Sequence, residues 1–445
     1  MKTTTIHKTT ILYRILRVYS NFIYRRWFST IEINGENSIP ENSPVIFAPN
    51  HQNGFIDAMA LLSSSPKPVV FLARADLFKK KTLDKIMRAL KIMPAYRIRD
   101  GIQNLKKNED SFEQAVEVLL HRAFFCLMPE GGQESARTLR PLVKGMFRIA
   151  FATQDVLKDV DSVKIVPVGI DYSNYDHSGG HLIVNFGRAI NIRDYYDAYL
   201  ENAPVAQNQL RDELAKRMPP LMLDIRSKEY YDCFYTTSYL YNAEMLNEMD
   251  LEDNETNRLA ARQRIVSLLQ KAEDNNSPLL PELDKRCKKW AEKHKDVAFS
   301  AQMSEYGREP DGNFLVSFAY LLITLPLFLY SGLANGIPYL LTKFLTRKAE
   351  GTGFESSFVF GLSAVLFPVF YLLATIAFAF FAPTFLMAVA FAFSLPLSFF
   401  FMLRYKWRFC FVKERIKNIF KGDNEVREIL SLVKQVISFS NYTNK

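Results

Sequence analysis

A titratable imidazole and a carboxylate stand six positions apart in the run Pro49-Asn50-His51-Gln52-Asn53-Gly54-Phe55-Ile56-Asp57. The run follows an apolar, strand-like stretch, Val45-Ile46-Phe47-Ala48. A neutral imidazole takes a proton from an alcohol, and a nearby carboxylate fixes its tautomer and stabilises the imidazolium that forms. His51 and Asp57 therefore supply the base and its partner for activating a hydroxyl. No Gly-x-Ser-x-Gly elbow accompanies them. The hydroxyl to be activated is then the substrate's own.

Three further blocks follow in order. They are Ile92-Met93-Pro94-Ala95-Tyr96-Arg97-Ile98-Arg99-Asp100-Gly101, Leu127-Met128-Pro129-Glu130-Gly131-Gly132 and Ile165-Val166-Pro167-Val168-Gly169. A guanidinium presents paired donors that match phosphate oxygens, which makes Arg97, and Arg99 in reserve, candidates for holding a phosphorylated alcohol. Two glycines after the Phe124–Met128 strand allow close backbone approach to a ligand. Read together and in this order, the four blocks resemble those of the glycerol-phosphate acyltransferase superfamily, which includes glycerol-3-phosphate and lysophosphatidate acyltransferases. The resemblance covers roughly residues 30 to 195.

The resemblance implies that His51 is a general base held by Asp57, that Arg97 and the Glu130–Gly131 portion bind the glycerol phosphate, and that Pro167 lies on the acyl-chain side. The chain departs from the family pattern twice. Five residues separate His51 from Asp57 where four are usual, and on a regular helix one extra residue turns a side chain by about 100°. Gly54 offers a remedy, since glycine reaches positive φ cheaply and can absorb the extra residue. Gly132 stands where the family usually has threonine, which removes a hydroxyl donor. Arg137, Arg140 and Lys144 read as solvated surface residues, Cys126 as core, and His177 and His181 as flanks of a hairpin turn around Ser178-Gly179-Gly180. His7, His121 and His294 have no partner pattern.

These residues need elements to position them. Val45–Ala48, Val69–Ala73, Phe124–Met128, Lys164–Gly169 and Leu182–Phe186 read as strands, and Asn104–Leu120 as an amphipathic helix. Their alternation predicts an α/β domain over residues 31–200, and the resemblance implies a mixed sheet flanked by helices. Residues 1–30 predict an in-plane interfacial helix, with Ile11, Leu12, Ile15, Val18, Phe22 and Ile23 beside Arg14, Arg17, Arg25 and Arg26. Those arginines break any apolar core that a cleavable signal would need. Residues 201–312 are polar and helical in character, with an aromatic cluster from Tyr230 to Tyr241 that reads as helix core.

Residues 313–405 read as a membrane region. Phe358–Leu403 is almost wholly apolar and broken at Pro383, which is length for two spans of about twenty residues each. Phe314–Leu341 is interrupted by Pro326, Gly332, Asn335, Gly336 and Pro338. Basic flanks favour the cytoplasm, and Lys343, Arg347 and Lys348 follow the first stretch while Arg404, Lys406 and Arg408 follow the second. Both flanks share one side only if Phe314–Leu341 is re-entrant or interfacial and the pair hinged at Pro383 crosses twice. A basic cytoplasmic tail over 406–445 completes the organisation.

The net charge of +9, from 56 Lys and Arg against 47 Asp and Glu, suits an anionic surface. The apolar stretches favour lipid over nucleic acid, for which no recognition motif is present. Four cysteines without paired spacing indicate neither a disulfide framework nor a zinc site. The expectation is an integral membrane acyltransferase with its catalytic domain on the cytoplasmic side. It moves a fatty-acyl group from acyl-CoA or acyl-carrier-protein to glycerol-3-phosphate, without metal or other cofactor. Lysophosphatidate is the alternative acceptor, and a non-catalytic lipid-binding scaffold is the rival from another class.

Overall fold

The computed structural model describes residues 5–96, 105–173, 179–294, 297–303, 314–349, 354–421 and 424–442. The chain divides into two compact units. One comprises Met1–Arg25, Ile31–Asp171 and Leu182–Met222, the other Arg26–Thr30, Tyr172–His181 and Leu223–Lys445.

The first unit is built on a sheet of β1 (Thr30–Asn34), β2 (Val45–Pro49), β3 (Val69–Arg74), β4 (Ile92–Ala95), β5 (Phe124–Cys126), β6 (Lys164–Tyr172), β7 (His181–Phe186) and β8 (Ile190–Asn191). Its order is β1-β7-β6-β2-β5-β3-β4, with β8 antiparallel on β6. The run β6-β2-β5-β3-β4 is parallel throughout. Strands covered on both faces read as unbroken apolar runs rather than alternating ones. That is why Val45–Ala48 is legible as β2, all of it buried.

Helices α1 (Ile11–Trp27), α2 (Gly54–Ser64), α3 (Lys81–Ala89), α4 (Leu105–Leu120), α5 (Gly145–Leu157), α6 (Tyr196–Glu201) and α7 (Ala203–Arg217) complete this unit. Ala115, Val118 and Leu119 of α4, Phe147 and Phe151 of α5, and Leu210 and Leu214 of α7 pack with Ile46, Val70, Met93 and Phe125 into one core. α1 lies by its polar and aromatic side on the domain: Arg17 and Arg25 donate to the carbonyls of Ser65 and Ser63, and Tyr24 to that of Ile56. Its opposite side leaves Ile11, Leu12, Ile15, Val18 and Phe22 exposed.

The sheet departs from the sequence expectation in its bounds. β6 runs on to Tyr172, which puts Pro167 inside a strand rather than near its end, opposite Ala48. β5 stops at Cys126, because the chain then turns through Met128 and Gly131.

The second unit is helical: α8 (Tyr231–Leu240), α9 (Asn242–Glu248), α10 (Glu255–Asp274), α11 (Leu280–Glu292), α12 (Val297–Met303), α13 (Phe314–Ile323), α14 (Leu325–Thr346), α15 (Glu355–Ala379), α16 (Phe385–Lys421) and α17 (Asn424–Tyr442). Phe234, Tyr239 and Tyr241 of the aromatic cluster are buried. Past residue 405, α16 continues to Lys421, and α17 packs on α10 and α11 with Val433 and Val436 buried.

α15 and α16 are each long and apolar enough to cross a membrane. α13 and α14 meet at a bend of 62°. Phe328 of α14 stacks on Tyr405 at 4.1 Å, and Lys406 Nζ lies 4.3 Å from the ring of Tyr339. α14 also meets α16 within its apolar stretch, where Tyr330 OH and Ser394 Oγ are hydrogen-bonded. Asn335 is fully buried between the three helices. It donates to Ser398 Oγ at 2.9 Å and to the Ser331 carbonyl, and accepts from Tyr371 OH.

Candidate active site

Parallel strands deliver the chain segments that follow them to one edge of a sheet, where open α/β folds place their ligands. β2 ends at Pro49, β5 at Cys126 and β4 at Ala95, so the His51 and Glu130 segments leave from that edge, where β4 also ends. Arg97 and Arg99 themselves lie outside the described residues. Asn50 extends the β2–β6 ladder by one side chain. Its Nδ2 donates to the Ile170 carbonyl at 2.9 Å, and its Oδ1 accepts from the Ile170 N–H at 2.7 Å. His51 therefore emerges from an anchored backbone.

His51 Nδ1 lies 2.9 Å from Asp57 Oδ2. The same carboxylate oxygen accepts from the Gln52 and Asn53 N–H groups at 2.9 and 2.8 Å. Asp57 stands in the first turn of α2, where free N–H groups and the helix dipole favour negative charge. It is 1% exposed, and the His51 ring 18%. Burial with three donors keeps the carboxylate fixed while the imidazole stays reachable. An ionised acceptor on Nδ1 selects the tautomer with its proton there, leaving the Nε2 lone pair for an incoming hydroxyl.

Gly54 opens α2 with φ +52°. The extra residue between His51 and Asp57 is thus accommodated in a left-handed turn ahead of the helix. A β-carbon there costs about 1–2 kcal/mol. Gly54→Ala is expected to lower stability by that amount and to reduce turnover as Asp57 rotates from His51. An unchanged Tm and rate would show that the turn does not set the pair.

The loop after β5 clasps His51 by its main chain. Glu130 Oε1 accepts the His51 N–H at 2.9 Å, and the Glu134 N–H donates to the His51 carbonyl at 3.3 Å. Arg140 Nε donates to Glu130 Oε2 at 2.8 Å, and its Nη2 to the Gly132 carbonyl. Burial pushes the Glu130 carboxyl above its ordinary range, offset by the His51 N–H and the Arg140 guanidinium. Gly131 has φ +66°, and a β-carbon on it would meet Val143 at 2.9 Å, so the loop's own packing requires this glycine.

Removing Arg140 leaves a buried carboxylate with one partner fewer, a loss of about 1–3 kcal/mol. Ionisation of Glu130 is what costs free energy in the fold. The deficit of Arg140→Ala should therefore be smallest in acid, where Glu130 is protonated, and grow as pH rises above the usual carboxylate range. Parallel melting curves of variant and parent across pH test this, and a pH-independent gap would contradict it.

Arg137 is not a solvated residue. It is 1% exposed and paired with Asp171 at the end of β6. Its burial has no signature in the local sequence, because the partner is supplied by another strand. Cys126 is core, with burial and Asp57 both raising its thiol. His181 begins β7, near Ser29 and Glu255, whereas His177 lies outside the described residues. His7 and His121, without a sequence pattern, stack on each other at 3.8 Å.

Residues 30–171 match the acyltransferase family. Among solved structures the chain is similar to the 1-acyl-sn-glycerophosphate (LPA) acyltransferase PlsC of Thermotoga maritima. The identity is 16% and the TM-score 0.35, over 46% of this chain and 76% of that one. No curated protein matches. The matched residues 30–171 include the His51–Asp57 pair and the loop that clasps it.

Proposed function

We propose that this protein is a membrane acyltransferase that moves a fatty-acyl group from an acyl thioester to a hydroxyl of glycerol-3-phosphate. The observation that carries the reading is the 2.9 Å contact of His51 with a buried Asp57 at the strand-end edge of an acyltransferase-family domain. His51 Nε2 takes the acceptor's proton as its oxygen bonds to the thioester carbonyl carbon. The carbon–sulfur bond then breaks, and the imidazolium returns the proton to the leaving thiolate. Asp57 stabilises that imidazolium. Fixing two reactants in line contributes on the order of 7–11 kcal/mol in favourable models.

Arg97 and Arg99 are proposed to hold the acceptor phosphate, since they follow β4, which ends at the same edge. Glu130 is proposed to act on the acceptor's side of the site through the His51 main chain, and Gly131 by letting the loop close. The proposed co-substrate is acyl-CoA or acyl-carrier-protein, and the chemistry asks for no metal or other cofactor.

The reading further places α15 and α16 across the bilayer, with α1 and the bent α13–α14 pair interfacial or re-entrant and the catalytic domain on the cytoplasmic side. Support comes from the basic residues that follow the apolar stretches of α14 and α16, Lys343, Arg347 and Lys348 and then Arg404, Lys406 and Arg408. The purified full chain, offered glycerol-3-phosphate, lysophosphatidate and a lyso-lipid without phosphomonoester with either donor, is expected to acylate glycerol-3-phosphate fastest by mass spectrometry. Turnover of lysophosphatidate alone would overturn the acceptor, and no acylation of any of the three the whole reading.

A further inference from the structure

We propose that the segment from Ala75 to Ala89 is a docking surface of the catalytic domain for an anionic phospholipid membrane. α3 repeats apolar residues at Leu83, Ile86 and Met87, continued by Leu90 at its C-cap, the spacing of a helix that covers one stripe. Yet no residue of α3 is buried. Leu83 and Ile86 are 40% and 47% exposed, and Leu77, in the 3-10 turn just before, is 45% exposed. Met87 and Leu90 are half-buried against the domain, and Lys79, Lys80, Lys81 and Lys85, all exposed, stand around the uncovered Leu77, Leu83 and Ile86.

The local acids do not neutralise those lysines. Asp76 pairs with Arg74 and Asp84 with Arg88. Among the described residues no carboxylate pairs with the four ammonium groups. Uncovered apolar side chains beside uncompensated lysines fit a surface that offers acyl chains and phosphates together, and an anionic bilayer does so. A water-facing role leaves the stripe unexplained.

A second observation connects this segment to the other amphipathic element of the domain. Lys91, just past α3 and held at φ +61°, is buried. Its Nζ donates to the carbonyls of Ile6, His7 and Lys8 at 2.7, 3.0 and 2.9 Å, and lies 5.2 Å from the ring of Tyr13. The end of α3 is thereby tied to the start of α1, whose Ile11, Leu12 and Ile15 are also exposed. A buried ammonium thus joins the end of α3 to the segment that leads into α1, two elements that each leave apolar side chains exposed. The docking role rests on membrane attachment but not on the acceptor, so the two readings fail separately.

The test uses the full chain in nanodiscs, with an environment-sensitive fluorophore on Leu83→Cys or Ile86→Cys and a control on Thr82→Cys, in a background lacking the native cysteines. In phosphatidylglycerol discs, lipids carrying a chain-borne quencher are expected to quench positions 83 and 86 at least threefold more than position 82. In phosphatidylcholine discs the difference should shrink. Changing Lys79, Lys80, Lys81 and Lys85 together to Gln should at least halve quenching in the anionic discs while acyl transfer to a water-soluble acceptor in detergent stays within twofold. Unquenched, water-exposed labels would overturn the proposal. So would dry labels that lipid quenchers cannot reach, which mean a protein cover, and so would quenching indifferent to both lipid charge and the lysines.

Discussion

His51→Ala is expected to abolish acyl transfer to within background while leaving the melting temperature nearly unchanged. The ring makes one side-chain hydrogen bond, to Asp57, and is partly exposed, so its loss opens no buried cavity. What it removes is the acceptor for the alcohol proton. Positioned general bases contribute about 10²- to 10⁴-fold, and the loss should fall on kcat rather than on KM for either substrate. A scaffold that binds lipid without chemistry predicts the opposite, with every biological readout intact. Steady-state kinetics with purified variant and parent separate the two, and full activity of the variant would remove the enzyme reading.

Asp57→Asn should be nearly as severe for a different reason. The amide oxygen can still accept from the Gln52 and Asn53 N–H groups, so the turn before α2 survives with a cost of about 1–3 kcal/mol. That same oxygen lies against His51 Nδ1, so the ring tautomer survives and what is lost is the negative charge that stabilises the imidazolium. Turnover is expected to fall on the order of 10²- to 10⁴-fold with both substrates still binding. Nitrogen-15 NMR of labelled histidine reports the tautomer directly. A variant that keeps both the tautomer and the rate would show that Asp57 only caps the turn.

The geometry of the candidate site was legible wherever it is local. His51, Asp57 and the need for a glycine at 54 lie within seven residues, and a short run records its own turn. The clasp on His51 was not legible. Glu130 lies 79 residues away from it in sequence, and only the β2–β5 register brings the two loops side by side. Arg137 and Arg140 read as surface residues for the same reason, since nothing nearby announces Asp171 or Glu130 as partners.

The central strands were readable because double-sided burial writes continuous apolar runs into β2, β5 and β6. β1 escaped, because its residues are half-buried and Glu32 and Asn34 interrupt the pattern. The length of α16 escaped too. α16 passes Leu403 without a break, as the basic and aromatic residues beyond it are as compatible with helix as the apolar ones before. α3 is the reverse case. Its period is plain in the sequence, and only the structure reveals how little of the stripe is covered.

Direct transfer, with His51 acting on the acceptor and no acylated protein between donor and product, is best tested by rapid mixing with a radiolabelled acyl thioester and acid quench. The parent enzyme given donor alone should carry no covalent label and leave the thioester intact. Adding glycerol-3-phosphate should release labelled product without a protein-bound phase. Label that accumulates on a side chain before the alcohol arrives, and then passes into product at the turnover rate, would contradict it.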